Sequence, residues 1–189
     1  MLIGVDLDEV LADLITSFVN YHNSKYNTSF QKNDFFSYKL WDVLKCSKED
    51  AIQRMYDFFK SPCFNEIQPI KDSKEVLSYL KENHELVIIS SRQELVHEDT
   101  RGWINYHFPK TFSKIYFSGN FYSQTGDKTK LQICKELNTD LLIEDALEYA
   151  LECQEETKVL LFDQPWNQSK KLPDNIHRVY SWKDILNYI

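Results

Sequence analysis

The sequence predicts an α/β fold: a Rossmann-like core built on a parallel sheet, with a small helical cap inserted after the first strand. Three observations predict it. Short apolar runs alternate with helix-spaced segments, the pattern of strands joined by right-handed helical crossovers. The stretch 27–69 breaks that alternation, being rich in aromatics and free of strand-like runs. Polar residues follow directly on several apolar runs, at the sheet edge where open α/β folds bind ligands. A length of 189 residues suits one such domain with a modest insertion.

Taken in order, residues 2–5 are an apolar run closed by Asp6 and read as a buried strand. Residues 11–26 follow with Leu11, Leu14, Ile15, Phe18, Val19 and His22 at helical spacing. The aromatic stretch, with Phe30, Phe35, Phe36, Tyr38, Trp41, Phe58 and Phe64, reads as short helices forming the cap. Asp72 and Ser73 open a helix through Leu80, and residues 86–89 are a second buried strand ending at Ser90 and Ser91. Residues 96–108 are helical and 114–117 form a third strand. Asp127 caps a helix running to Leu137. Residues 141–143 are a fourth strand, ending at Glu144 and Asp145, and 159–162 a fifth, ending at Asp163. The expected division is a core of residues 1–13 and 71–189 and a cap of residues 14–70.

Composition bounds the function. Hydrophobic residues make up 42% and charged residues 27%, ordinary for a soluble globular chain. A net charge of −7 argues against a nucleic acid partner, whose backbone calls for basic patches. It leaves room for a small anionic substrate, because a bound cation reverses the local field. Cys46, Cys63, Cys134 and Cys153 form no C-x-x-C pair and read as reduced, buried thiols. No apolar run approaches the ~20 residues of a membrane span, and residues 1–5 are too short for a signal peptide. A cytoplasmic protein with no membrane partner is expected; the sequence does not set its oligomeric state.

The chemistry lies in three sets of residues that the sheet would bring together: Asp6 with Asp8, Ser90 with Ser91, and Glu144 with Asp145. Any one set is more often a helix cap. Together, with a basic residue opening the helix before the fourth strand, they describe a site. Clustered carboxylates call for a hard cation, and oxygen ligands select Mg²⁺. One carboxylate can then attack phosphorus. A second, two residues on, can protonate the leaving oxygen and activate water. A hydroxyl and an ammonium can hold the remaining phosphate oxygens.

Asp6-Leu7-Asp8-Glu9-Val10 resembles motif I of the haloacid dehalogenase (HAD) superfamily phosphatases. Ile88-Ile89-Ser90-Ser91-Arg92 resembles motif II, Asp127-Lys128-Thr129 motif III and Leu142-Ile143-Glu144-Asp145 motif IV. The opening DLDEVLAD, and Ser61-Pro62-Cys63-Phe64 with Gln68-Pro69-Ile70, are similar to the 5′(3′)-deoxyribonucleotidases. The Asp163-Gln164-Pro165-Trp166-Asn167 segment resembles that of their uncharacterised bacterial relatives. The resemblance implies a Mg²⁺-dependent phosphatase acting on a small phosphate ester, expected to be a (deoxy)nucleoside monophosphate. It implies Asp6 as nucleophile and metal ligand, Asp8 as general acid/base with its carbonyl on the metal, and Asp145 completing the metal site. Ser90, Ser91 and Lys128 would bind the phosphoryl group, and Arg92 either clamps substrate or forms a salt bridge.

Two lysines compete for the motif III role. Lys128 is in phase with Leu131, Cys134 and Leu137 on the expected inward helix face, and is preferred over Lys130. Glu9 stands where the nucleotidase pattern has Gly, and its carboxylate has three options: hindering phosphate, pointing away, or marking a different substrate. The cap aromatics Phe35, Phe36, Tyr38 and Trp41 either stack a base or form the core of the cap. Rival readings are a HAD phosphatase for another small metabolite, a catalytically silent phosphate-binding protein, and a receiver domain. The last is disfavoured by the long insertion after the first strand.

Overall fold

The computed structural model describes residues 1–119 and 128–189. Its centre is a six-stranded, all-parallel sheet in the order β3-β2-β1-β4-β5-β6. The strands are β1 (Leu2–Val5), β2 (Glu85–Ser90), β3 (Lys114–Phe117), β4 (Leu141–Glu144), β5 (Lys158–Phe162) and β6 (Ile176–Val179). The chain builds outward from β1 to β3, then returns to lay β4 on the other side of β1. That reversal creates a crevice at the carboxyl ends of β1 and β4, the topological switch point of a doubly wound sheet.

Strand register sorts the core into two layers. Ile3, Val5, Leu86, Ile88, Leu141, Ile143 and Leu160 face one layer. Val87, Ile89, Leu142, Val159 and Leu161 face the other. This is the period-two alternation of a sheet covered on both faces. The second layer is closed by α7 (Lys130–Leu137) and α8 (Leu147–Cys153), through Ile133, Cys134, Ala150 and Cys153. The first is closed by α5 (Ser73–Leu80), α6 (His97–His107) and α9 (Trp182–Ile185).

Between β1 and α5 lie α1 (Leu14–Tyr26), α2 (Leu40–Leu44), α3 (Lys48–Phe59) and α4 (Pro62–Asn65). Their aromatics pack on one another: Phe58 meets Phe18 at 5.6 Å and Phe64 at 5.8 Å, both edge to face. The same buried cluster runs on into the first layer of the sheet. Ala12 pairs with Pro69 across an isolated bridge, so the chain leaves this helical segment beside the point where it enters.

Three elements differ from expectation. The helix expected from residue 11 begins at Leu14, because the amides of Leu11 and Ala12 both turn back to the Leu7 carbonyl. β6 is a sixth strand where five were expected; it is an edge strand carrying His177 and Arg178 between two buried residues. The helix expected to be capped by Asp127 starts at Lys130, with Thr129 as its cap. The Thr129 hydroxyl accepts from the Gln132 amide, and the Gln132 side chain accepts from the Thr129 amide, a reciprocal box that satisfies two helix-end donors. Asp127 itself lies outside the described residues. Among the described residues, no helix is long and apolar enough to cross a membrane.

Candidate active site

Asp6 follows β1 directly, and its amide donates to the Ile143 carbonyl at 2.9 Å, continuing the sheet into the crevice. Glu144 ends β4 and Asp145 follows it. One carboxylate oxygen from each of Asp6, Glu144 and Asp145 lies within 4.8 Å of the others, and all three residues are buried. Lys130 enters from the first turn of α7. Its ammonium is 2.6 Å from Asp6 Oδ1 and 2.7 Å from Glu144 Oε2, with the side chain 1% exposed. Glu144 Oε1 accepts from the amides of Asp145 and Ala146, which fixes the loop after β4.

Burial and the neighbouring Glu144 push the Asp6 carboxyl up to about 7, with Lys130 acting in the opposite direction. Burial, then Glu144 and Asp6, raise Asp145 well above the usual carboxylate range. Burial opposes the Lys130 charge, but Asp6 and Glu144 outweigh it and hold the ammonium above its ordinary range. Three carboxylates share this one ammonium, so ionising all of them would leave a surplus of negative charge. A hard divalent cation with oxygen ligands matches both that surplus and the donor set.

The structure therefore corrects one sequence-based assignment. Lys130, not Lys128, meets Asp6. Lys128 has a side chain 59% exposed and pairs with Glu136 at 2.5 Å. The inward face of α7 is Lys130, Ile133 and Cys134. Lys128 precedes the Thr129 cap, so helical phase does not extend to it.

The other expected residues divide. Ser90 ends β2, is buried, and accepts from the Arg92 amide at 3.2 Å. Ser91 is half-buried and near Tyr149 on α8, whose ring lies 4.7 Å from the Lys130 ammonium. Asp8 is 27% exposed at its side chain and is held by Arg92. Glu9 points away from the carboxylate cluster: it accepts from the Ile15 amide at 2.6 Å and pairs with Lys32. Its backbone is left-handed, φ 60°, the conformation glycine adopts most easily.

Of the cap aromatics, Phe35 is buried in the helical segment's own core, and Phe36 is exposed beneath Lys45. Trp41 lies under the Lys48 ammonium. Tyr38 reaches the site itself, its hydroxyl donating to Asp145 Oδ2. Trp166 Nε1 donates to that same oxygen at 2.9 Å, and the two rings meet edge to face. Asn167 is fully buried and donates to the carbonyls of Asp145 and Phe162. Trp166 and Asn167, met in the sequence only as part of the 163–167 segment, thus pin Asp145.

Compared with known proteins, residues 1–189 match the family described as 5′ nucleotidase, deoxy (pyrimidine), cytosolic type C. The chain belongs to this family. Within the cytosolic type C 5′-nucleotidase family it is 27% identical over 188 residues to a nucleotidase of Clostridium acetobutylicum, covering 99% of this chain and 92% of that one. It is 26% identical over 188 residues to a 5′(3′)-deoxyribonucleotidase of Bacillus subtilis, covering 97% and 95%. The fold is shared with a haloacid dehalogenase-like hydrolase of Streptococcus pneumoniae, at a TM-score of 0.72 and 17% identity over 99% of this chain and 97% of that one. It is shared too with a HAD hydrolase of Bacillus subtilis bound to magnesium, at a TM-score of 0.66 and 12% identity, covering 99% and 97%. This member of the 5′-nucleotidase family is accordingly a phosphatase-type, 5′-nucleotidase-like enzyme on a HAD fold.

Proposed function

We propose that the protein is a Mg²⁺-dependent phosphomonoester hydrolase acting on (deoxy)nucleoside monophosphates through an aspartyl-phosphate on Asp6. The observation that carries the reading is the cluster of Asp6, Glu144, Asp145 and Lys130 at the switch point of the sheet. Asp6, Asp145 and the Asp8 carbonyl would hold the cation, which supplies charge neutralisation for an incoming phosphate. A free Asp6 carboxylate oxygen attacks phosphorus, the ester P–O bond breaks, and Asp8 gives a proton to the departing alkoxide. In the second half, Asp8 takes a proton from water, whose oxygen attacks the Asp6-bound phosphorus and releases inorganic phosphate. Lys130, Ser90 and Ser91 hold the phosphoryl oxygens and the nucleophile in register. Residues 14–70 act as the cap over the site. The enzyme works in the cytoplasm, where its four cysteines stay as thiols.

The test is hydrolysis of deoxyribonucleotides, ribonucleotides and sugar phosphates, with Mg²⁺ or EDTA, by wild type and Asp6→Asn. The expected result is Mg²⁺-dependent preference for nucleotides, lost in Asp6→Asn by several orders of magnitude. Retention of more than about a tenth of wild-type kcat in Asp6→Asn would remove Asp6 as nucleophile. A preference for sugar phosphates would favour a phosphatase of another small metabolite, the reading supported by the burial of Phe35 inside the helical segment.

A further inference from the structure

Arg92 follows the phosphate-binding pair at the end of β2, where an arginine is easily read as a substrate clamp. Its surroundings argue otherwise. The side chain is 3% exposed. Nε lies 3.1 Å from both oxygens of Asp8, and Nη2 lies 2.6 Å from Oδ1. Nη1 donates to the buried Thr100 hydroxyl on α6 at 3.0 Å. The guanidinium plane sits 5.1 Å from the ring of Phe64 on α4. The backbone is pinned too: its amide donates to Ser90 Oγ, and its carbonyl meets the His97 ring nitrogen at 2.9 Å.

A guanidinium presents its donors as a rigid fork, and the Nε–Nη2 edge here is spent on one carboxylate. To grip a phosphate with that edge, Arg92 would have to release Asp8, while Thr100 and Phe64 hold it in place. We infer that Arg92 is a positioning residue for Asp8. It fixes the direction in which the Asp8 carboxyl meets the leaving oxygen, and Phe64 ties that direction to the helical segment above the sheet. The inference rests on Asp8 being the acid/base group of the proposed function.

Proton delivery matters most when the leaving group is a poor one. Wild type, Arg92→Lys, Thr100→Val, Asp8→Asn and the Arg92→Lys/Asp8→Asn double variant are compared on two substrates by the rate of leaving-group release in the first turnover, because the later attack of water uses Asp8 with either substrate. One is a deoxyribonucleoside 5′-monophosphate, with an alkoxide leaving group; the other is p-nitrophenyl phosphate, whose leaving group needs little protonation. Lysine keeps the charge and loses the fork. Arg92→Lys is expected to slow first-turnover release of the nucleoside by roughly tenfold, part of the 10²–10⁴ of general acid catalysis, with first-turnover release of p-nitrophenolate and both KM values nearly unchanged. Thr100→Val, which leaves both charges in place, shifts the ratio the same way by less. In the Asp8→Asn background, Arg92→Lys adds no further loss.

If Asp8→Asn slows first-turnover release of both leaving groups equally, the acid/base reading of Asp8 fails first. If Asp8→Asn discriminates between them but Arg92→Lys instead raises KM equally for both, or its loss adds to that of Asp8→Asn, Arg92 grips phosphate and the inference is overturned. If Arg92→Lys does not fold, as judged by its thermal melt, Thr100→Val decides: an unchanged substrate ratio in that variant refutes the positioning role.

Discussion

Replacing Lys130 with Met removes the ammonium that Asp6 and Glu144 share at 2.6 and 2.7 Å. Three buried carboxylates then face one another without it. Breaking a buried ion pair from one side costs about 3–5 kcal/mol. Proton uptake by Asp6, already pushed up to about 7, recovers part of that. For a chain of this length ~1 kcal/mol moves Tm by about 2–4 °C, so metal-free Lys130→Met should melt roughly 6–20 °C below wild type. Mg²⁺ should narrow the gap, because a cation that binds only the folded state stabilises it by mass action. Lys128→Met removes only an exposed pair with Glu136 and should stay within about 0.5 kcal/mol of wild type. Activity should follow: Lys130→Met loses roughly 10²–10³ in kcat, as for other preorganised donors, and Lys128→Met keeps its turnover. Calorimetry in EDTA and in Mg²⁺, with a phosphatase assay on the same preparations, decides. A wild-type melting curve for Lys130→Met, or an early melt in Lys128→Met instead, would refute the assignment.

Other residues make further predictions. Tyr38 and Trp166 both donate to Asp145 Oδ2, so Tyr38→Phe should weaken Mg²⁺ or Mn²⁺ binding by about tenfold in calorimetric titration, the lower range for residues that orient metal ligands; unchanged or tighter binding would contradict this. Glu9 turns its carboxylate to Ile15 and Lys32, so Glu9→Gly should leave KM unchanged, and a lowered KM would show that the carboxylate faces substrate after all. Buried His22 is lowered from 6.5 to about 4, first by burial and then by Arg54. A histidine kept neutral by the fold binds fewer protons there than in the unfolded chain, so its contribution is full above about 6.5 and is lost as pH falls toward 4. Glu9, raised from 4.5 to about 7, works in the opposite direction, since the stability it withholds is lost as pH rises across that window. The measurement is therefore a difference: the fall in Tm from pH 7 to pH 5 should be smaller in His22→Asn than in wild type, and an equal fall in both would count against a neutral His22.

Much of this architecture is legible in the residues. β1, β2, β4 and β5 are apolar runs whose ends carry acids or hydroxyls, and the positions of Asp6, Glu144 and Asp145 follow from that alone. β6 is not legible, because His177 and Arg178 occupy its middle and an edge strand needs no continuous apolar run. Lys130 is obscured for a local reason: choosing between two lysines required knowing where α7 begins, and the Thr129–Gln132 box settles that. Tyr38 and Trp166 are obscured for a long-range one. Tyr38 meets Asp145 across 107 residues, and no spacing rule connects them. The direction of Glu9 depends on Lys32, brought near by the turn between α1 and α2.

The placement of β1 at the centre of the sheet has a kinetic consequence. Its neighbours β2 and β4 are remote in sequence, and the contacts that assemble the site close loops of 84 residues from Asp8 to Arg92 and 124 residues from Asp6 to Lys130. Such closures must be met before the contacts reward them, so the strand that carries the proposed nucleophile gains its partners late. Until β4 docks, Asp6 remains hydrated with its ordinary acidity and no ammonium beside it. Catalytic competence thus arrives with the last long-range pairing, and recovery of turnover after dilution from denaturant should lag behind the recovery of helical signal.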